Sequence, residues 1–255
     1  MLVGRTESCD YPPEEVRHIP ITGGFGTPWM EALLARQPSH VLETILADPA
    51  IISRLNQLSI PIIHVNANRL TQIPTALRQL GQLTGNVAQA EALAHQIQTG
   101  LEQAHKEVSA ATNQPPRVLL LFAPDTPITA GRHTFISEML ELAGGHNLGR
   151  DITTDYYHVS LEWILTQDPD IILCVFETQG RAPRSFFDTA MGWKSLRAVS
   201  TGRVYALSDL GAVSRPGPRV LSGLAQLKQL LAHDAQHCHK NALLIKKPVH
   251  TAAER

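Results

Sequence analysis

Two glutamates stand at matching places in the two halves of the 255-residue sequence, and each follows an aromatic residue by six positions. Phe25 precedes Glu31, and Tyr156 precedes Glu162. Each glutamate lies near the start of a predicted short helix, where a carboxylate interacts favourably with the helix dipole. Helix capping is therefore one explanation for both residues, and a role in function is the other.

Aromatic residues outside periodic elements are candidates for contact with a ligand. Phe25 lies in the glycine-rich segment Gly23–Pro28, where a place in the core is less natural. This segment lacks both the Lys-Ser/Thr pair and the long preceding strand of a phosphate-binding loop. Tyr156 and Tyr157 precede a predicted helix, where they either contact a ligand or pack on their own part of the fold.

Two arginines flank a Pro-Gly-Pro segment near the end of the chain, Arg215 and Arg219. A guanidinium group presents several N–H donors in a fork that matches carboxylates. One arginine is expected to make a polar contact with a ligand, and the other to anchor the loop or cap a helix.

Histidines are numerous, at twelve, and raise the question of a metal site. Six of them show no shared spacing at matching strand ends: His18, His40, His64, His133, His146 and His158. A cluster of His233, His237, Cys238 and His239 begins at the last residue of the final predicted helix and continues into the tail. Metal affinity there would be incidental, so the sequence predicts no designed metal site.

Catalytic motifs are absent from the sequence. There is no G-x-S-x-G, no H-E-x-x-H and no C-x-x-C. The sequence therefore predicts no catalytic residue, no enzymatic activity and no bound cofactor. A cytosolic enzyme or regulator that reuses the fold is the alternative, because an α/β fold by itself neither implies nor excludes an activity.

Composition excludes other classes of function. With a net charge of −1, the chain carries no excess of positive charge that would attract nucleic acid or a membrane surface. No apolar run is long enough to span a bilayer, and the segment after Met1 does not have the pattern of a signal peptide. The cysteines, Cys9, Cys174 and Cys238, form no disulfide framework, and Cys174 lies in an apolar run that predicts a buried position.

A long helix is predicted from Asn86 to Ala111, where eight apolar residues fall on one stripe of a 3.6-residue period. Pro115 and Pro116 end it. At 1.5 Å per residue, this rod is about 40 Å long. It is either a surface helix of a single domain or a connection between two lobes.

Strands alternate with helices on both sides of this long helix, which predicts an α/β fold with a mainly parallel sheet. The predicted strands are the end of a strand at Leu2–Val3, then Ile19–Thr22, Val41–Leu42, a buried Ile62–Val65, Val118–Phe122, Ile171–Val175 and Val204–Leu207. The predicted helices are Trp29–Arg36 (with Thr27 as cap and Pro28 as first helical residue), Pro49–Leu58, Pro74–Leu80, Thr134–Ala143, Leu161–Thr166, Ser185–Met191 and Pro218–His233.

An internal repeat relates the two halves. Pro28–Leu42 aligns without gaps on Val159–Leu173, and each segment reads as a short helix, a proline break and a strand. A repeat of this size predicts two similar α/β lobes with a ligand cleft between them, at the ends of the strands.

The chain resembles the substrate-binding proteins of vitamin B12 and iron-siderophore ABC importers. The resemblance runs from about Val3 to about Leu231 and rests on the order and spacing of Gly4–Pro13, Glu31–Leu42, Thr129–Asn147, Ser160–Leu173 and Trp193–Tyr205. The Cys9–Pro13 segment leans toward the corrinoid-binding branch. The resemblance implies a fold like that of class III periplasmic binding proteins, with two α/β lobes joined by one rigid backbone helix.

Site residues follow from the resemblance position by position. Phe25 and Tyr156, with the adjacent Tyr157, match aromatic ligand contacts, and Asp209 with Arg215 matches a polar pair. Glu31 and Glu162 match the glutamates that pair with arginines of the membrane permease. Three further aromatic positions of the corrinoid binders are Ser8, Thr44 and Ile128 here, so the expected cleft is less aromatic.

The predicted function is capture of a corrinoid such as cobalamin and its delivery to a permease, with a ferric siderophore or haem as the alternative ligand. The predicted domains are an N-terminal lobe (1–83), the backbone helix (84–114), a C-terminal lobe (115–235) and a polar tail (236–255). The expected protein is a periplasmic or otherwise extracytoplasmic monomer. It would associate peripherally with a membrane complex and would not bind nucleic acid.

The two lobes differ in length before their glutamates. The first strand of the second lobe begins at Val118, 44 residues before Glu162, whereas only 30 residues precede Glu31. The repeat therefore predicts that at least 14 residues are missing, by truncation or a misplaced start. It also predicts an unfilled position in the first lobe's sheet and exposed apolar surface.

Overall fold

The computed structural model describes residues 1–44, 48–111, 114–187 and 191–245, with side chains as far as Asp234. The strands are β1 (Arg5–Thr6), β2 (Ile21–Gly24), β3 (Thr27–Pro28), β4 (Val41–Glu43), β5 (Ile62–His64), β6 (Arg117–Leu121), β7 (Ile128–Ala130), β8 (His146–Asn147), β9 (Tyr156–His158), β10 (Ile171–Cys174) and β11 (Val204–Ala206). The α-helices are α1 (Pro13–Val16), α2 (Met30–Leu34), α3 (Pro49–Gln57), α4 (Ile73–Thr84), α5 (Val87–Ala110), α6 (Phe135–Leu142), α7 (Leu161–Gln167), α8 (Arg197–Ser200), α9 (Leu210–Ser214) and α10 (Val220–Ile245).

The chain forms two compact units. The first contains Met1–Ala67 and Arg78–Ala90, and the second contains Asn68–Leu77 and the chain from Glu91 onward. The helices α4 and α5 each contribute residues to both units. The predicted domain limits stay a prediction.

The long helix is confirmed as α5, which begins at Val87 and ends at Ala110. Three of its buried residues, Ile97, Leu101 and Ala104, lie on the predicted apolar stripe, whereas the fourth, Ala94, lies next to Leu93 of that stripe. Gly85, with φ of +75°, separates α5 from α4. Glycine suits this left-handed conformation because it has no Cβ.

The second unit is built on a parallel sheet in the order β11-β10-β6-β8. The side chains of Val118–Leu121 and Ile171–Cys174 in its two central strands are buried. A parallel sheet covered on both faces requires such continuous apolar runs, which is why the sequence predicted these strands well. Cys174 is buried as predicted, and burial raises the pKa of its thiol to about 12.

The first unit contains a three-stranded sheet, β1-β2-β3, and the parallel pair β4-β5. In the described residues β4 pairs only with β5, and Leu42 of β4 is 46% exposed. The strand predicted at Ile62–Val65 is confirmed as β5, but Ile62 and Ile63 are only half-buried, so the prediction that this strand is buried is wrong. Exposed apolar surface in this unit is confirmed, while the expectation about the chain start stays a prediction.

The repeat is confirmed in local structure. The helices α2 and α7 begin at equivalent residues, Met30 and Leu161, when the two segments are aligned. Equivalent residues before the prolines, Gln37 and Asp168, both have left-handed φ values of 48° and 38°. Few non-glycine residues adopt this conformation, so its recurrence is strong evidence for a common local design.

Several predicted elements of the first unit are wrong in their limits. The first strand is Arg5–Thr6 rather than Leu2–Val3, because the backbone of Arg5 and Thr6 pairs with β2. Thr27 and Pro28 form β3, so Thr27 does not cap α2 and the helix begins only at Met30. The helix predicted from Pro74 extends to Thr84.

Two predictions change near the end of the chain. The predicted helix Ser185–Met191 is instead a 3₁₀ helix at Pro183–Phe186, and residues 188–190 lie outside the described residues. The closing helix is α10, which continues to Ile245, so the first half of the predicted polar tail is helical. Residues 246–255 lie outside the described range. No helix in the described part of the chain has both the length and the apolar character needed to cross a bilayer.

Alkaline pH is expected to destabilise the protein partly through Tyr205. Burial, with the nearby Asp234 carboxylate as a smaller cause, raises the pKa of Tyr205 to about 12 from 10. Between these values the unfolded tyrosine loses its proton while the folded one keeps it, so the free energy of unfolding falls as pH rises. Urea unfolding of the native protein and of Tyr205→Phe, measured from about pH 9.5 to about pH 11.5, tests this. An equal loss of stability in both proteins would contradict it.

Candidate functional site

Phe25 lies at the tip of a tight hairpin. The strands β2 and β3 pair antiparallel, with Gly24 opposite Thr27, and Phe25 and Gly26 form the two-residue turn. A Cβ on Gly23 would lie only 2.6 Å from the Cα of Pro28, so the close approach of the two strands requires glycine there. The hairpin leaves the Phe25 side chain 68% exposed, which places it outside the core.

The loop beside this hairpin is organised by Arg5. Its Nε donates to the carbonyl oxygens of Val16 at 2.9 Å and Ile19 at 3.1 Å. Its Nη1 donates to the carbonyl of Cys9 at 3.1 Å. One guanidinium group thereby satisfies three backbone carbonyl groups of the chain between β1 and β2, which has little regular secondary structure of its own.

Tyr156 and Tyr157 lie on a strand that the sequence did not predict. Their strand, β9, pairs antiparallel with β7. The Tyr156 ring packs edge-on against Phe122, with centroids 5.2 Å apart, and burial raises its pKa. Successive side chains of a strand point to opposite faces, so the two tyrosines do not contribute to one surface. Both remain about half exposed.

The polar loop near the end of the chain joins Asp209 to Arg219. An Asp209 carboxylate oxygen accepts a hydrogen bond from Arg219 Nη1 at 2.6 Å. The other oxygen accepts from the backbone N–H of Ala212 at 3.0 Å and caps α9. Arg219 is therefore the arginine that anchors the loop, as one of the two was expected to do. Arg215 follows at the end of α9.

Glu31 and Glu162 are the second residues of α2 and α7. Both are exposed, and each precedes a buried residue, Leu33 or Ile164, by two positions. Two residues of an α-helix turn through about 200°, so each carboxylate lies on the face opposite the core. In the described residues neither carboxylate makes a hydrogen bond or ion pair, and α7 is capped by Ser160 instead. The simple capping explanation therefore lacks a side-chain hydrogen bond.

Metal-ligating side chains do not gather into a cage. Within residues 1–44, 48–111, 114–187 and 191–234, no group of three or more histidine, cysteine, aspartate or glutamate side chains is placed to hold a metal ion. The side chains of His237, Cys238 and His239 lie outside the described residues.

One pair of side chains, at the ends of two neighbouring strands, is not predicted by the sequence. Glu43 and His64 are the final residues of β4 and β5 and lie opposite each other, with a hydrogen bond between their side chains. Their separation of 21 residues matches no short motif, so only the strand register brings them together. The sequence signal available was that both follow directly on short apolar strands.

Comparison with known proteins identifies relatives over nearly the whole chain. A family model described as periplasmic binding protein matches residues 1–210. A vitamin B12-binding protein of Pectobacterium atrosepticum is 30% identical over 235 residues, which are 91% of this chain and 81% of the relative. A cobalamin-binding protein of Halobacterium salinarum is 25% identical over 89% of this chain, which spans 62% of that relative.

Solved structures agree with this fold. The periplasmic vitamin B12-binding protein of Vibrio cholerae has a TM-score of 0.75 at 24% identity, with 92% of this chain and 89% of that chain covered. A periplasmic heme-binding protein of Roseiflexus sp. RS-1 has a TM-score of 0.78 at 26% identity, with 92% and 90% covered.

Proposed function

The chain belongs to the periplasmic binding protein family, and from this we propose that it captures a corrinoid for an ABC importer. The observation that carries the proposal is the 30% identity to a vitamin B12-binding protein over 91% of the chain. The exposed Phe25 and the half-exposed Tyr156 support it, since aromatic side chains outside the core provide the contact area that a large macrocycle needs.

In this proposal, binding depends on apolar and polar contacts with the ligand, and no reaction of its macrocycle is involved. The Phe25 ring, held at a hairpin tip, and the Tyr156 ring, oriented by Phe122, would cover apolar parts of the corrin with little loss of rotamer freedom. Arg215 would donate to an amide or carboxylate at the ligand's edge. No covalent bond of the ligand's macrocycle forms or breaks, so we propose a binding protein without catalytic residues or a resident cofactor.

Haem is the second candidate ligand. The structural likeness to the heme-binding protein of Roseiflexus favours it, at 26% identity. The replacement of three expected aromatic residues by Ser8, Thr44 and Ile128 also makes this chain's site differ from that of the corrinoid binders. A ferric siderophore remains the third ligand to test.

Ligand identity is tested by mixing the pure protein with cobalamin, cobinamide, haem and ferric siderophores in separate titrations. We expect cobalamin and cobinamide to shift their visible bands and raise the melting temperature, because a ligand that binds only the folded state stabilises it. Stabilisation by haem or a siderophore alone would replace the corrinoid in the proposal. Turnover of any of these ligands would favour an enzyme.

The contribution of the aromatic residues is tested by Phe25→Ala and Tyr156→Ala. Each variant is expected to weaken binding by roughly 1–3 kcal/mol, about 5- to 150-fold in Kd, with little change in melting temperature. Titration calorimetry with cobalamin measures the loss. The matched control is Leu83→Ala, which removes a similarly exposed apolar side chain. Lower melting temperatures with unchanged affinity would make both residues structural.

The proposed partner is the permease of an ABC transporter, reached in the periplasm or an equivalent extracytoplasmic space. The near-neutral charge provides no general attraction to a membrane or to nucleic acid, so association with the membrane complex would run through the permease itself. We propose that the protein acts as a monomer. Sedimentation of the pure protein with and without ligand checks this.

A further inference from the structure

A histidine–carboxylate pair stands at the carboxyl end of the parallel strands β4 and β5. Glu43 Oε1 and His64 Nδ1 are 2.6 Å apart. The Glu43 side chain is only 14% exposed, whereas the His64 side chain is 56% exposed. The carboxylate is thus held within the fold, and the imidazole it binds is open to a ligand.

This hydrogen bond determines which ring nitrogen of His64 can bind a ligand. An ionised carboxylate only accepts hydrogen bonds, so Nδ1 of His64 carries the proton that Glu43 binds. In neutral imidazole the other nitrogen, Nε2, then keeps its lone pair. A carboxylate that orients a histidine in this way is the usual outer partner of a metal-binding imidazole.

The backbone around the pair is also fixed. The N–H of Val65 donates to the Glu43 carbonyl at 2.8 Å. The side chain of Gln79 donates to the His64 carbonyl at 3.2 Å. Both residues therefore have a defined main-chain position as well as a side-chain contact.

The repeat provides an internal comparison. Glu43 directly follows the repeat segment of the first unit, and Cys174 directly follows that of the second, where its partner in the parallel register is Ala206. The strands pair there without any polar contact between side chains. Pairing of the two strands does not require an ion pair at this position, so strand pairing alone does not explain the pair in the first unit.

The kind of ligand follows from the number of donors. The carboxyl ends of parallel strands are where open α/β sheets bind ligands. Among the described residues, no third histidine, cysteine, aspartate or glutamate side chain joins this pair to form a metal-binding group. A metal already held by a macrocycle needs only one axial nitrogen.

We propose that His64 Nε2 is an axial ligand to the metal of a bound tetrapyrrole, with Glu43 as its positioning residue. This rests on the proposed function and deepens it. In the step, the Nε2 lone pair forms a metal–nitrogen bond while a water molecule on the metal leaves. The oxidation state of the metal does not change.

Reduced cobinamide bound to the protein is the first probe, because cobinamide carries no nitrogen base of its own on the cobalt. Electron paramagnetic resonance of the complex is expected to show a three-line splitting from one ¹⁴N nucleus. The splitting should become two lines when the protein contains ¹⁵N-histidine. Binding without a nitrogen splitting would overturn the proposal while leaving the proposed function intact.

Variants of the protein test whether the splitting comes from the imidazole nitrogen of His64. His64→Ala is expected to remove the splitting, and Glu43→Ala to weaken cobinamide binding about 10-fold or more by freeing the ring orientation. The control is His40→Ala, an exposed histidine just before β4, which should leave both unchanged. Persistence of the splitting in a folded His64→Ala protein would overturn the proposal, and the ¹⁵N result on the native chain does not depend on how any variant folds.

Ferric haem is the second probe, and it tests whether His64 binds the iron of haem rather than the cobalt of a corrinoid. If haem is the ligand, the Soret band of the bound state should differ between the native protein and His64→Ala, and not between the native protein and His40→Ala. A spectrum unchanged by His64→Ala with both probes would refute axial ligation. If neither tetrapyrrole binds at all, the proposed function fails, and this inference fails with it.

Discussion

The double substitution of Glu31 and Glu162 by alanine is expected to abolish transport and to leave ligand affinity unchanged. Both carboxylates are exposed, lie opposite the buried side of their helices and make no hydrogen bond or ion pair in the described residues. Such charges contribute little to folding, beyond about 0.3–1 kcal/mol each through the helix dipole. Their proposed role is to meet basic residues of the permease, where complementary charge guides encounter and fixes orientation.

Transport by the native permease, reconstituted in vesicles with each protein variant, measures this effect. The matched controls are Glu15→Ala and Glu102→Ala, which remove exposed glutamates from α1 and α5. We expect each single change at Glu31 or Glu162 to reduce uptake and the pair to eliminate it. Normal uptake by the double variant, or a loss of ligand affinity in it, would show that the two glutamates do not dock the protein.

Asp234→Ala is expected to lower the free energy of unfolding by about 3–5 kcal/mol, the typical cost of removing one partner of a buried ion pair. Asp234 is 2% exposed. Its carboxylate accepts from Arg203 Nε at 2.8 Å and Nη2 at 2.5 Å, and from the Tyr205 hydroxyl at 2.9 Å. These bonds connect α10 to β11, so their loss weakens the packing of the closing helix on the sheet.

Urea unfolding tests this against an exposed pair. Asp151 lies 3.7 Å from Arg132 and its side chain is 89% exposed. Removing it as Asp151→Ala is expected to cost no more than about 1 kcal/mol. Asp234→Asn, which keeps the shape and removes the charge, should fall between the two. Equal costs for Asp234→Ala and Asp151→Ala would show that the buried network contributes no special stability.

The sequence alone determined the features that depend on local periodicity and on order along the chain. The stripe of apolar residues predicted α5 almost to the residue. The continuous apolar runs predicted the central strands β6 and β10, because a strand buried on both faces has no polar positions. The gapless repeat placed both glutamates at the same helical position, and the order of motifs indicated the family.

Only the tertiary structure decided the contacts between residues distant in sequence. Phe25 lies at a hairpin tip because β3 pairs with β2, and for the same reason α2 begins later than the sequence predicts, at Met30. Tyr156 and Tyr157 lie on a strand because their backbone pairs with that of β7. Asp209 is bound by Arg219, and Glu43 meets His64. Each of these outcomes depends on strand register or on a partner many residues away, and a local pattern carries no information about which distant backbone will satisfy its hydrogen bonds.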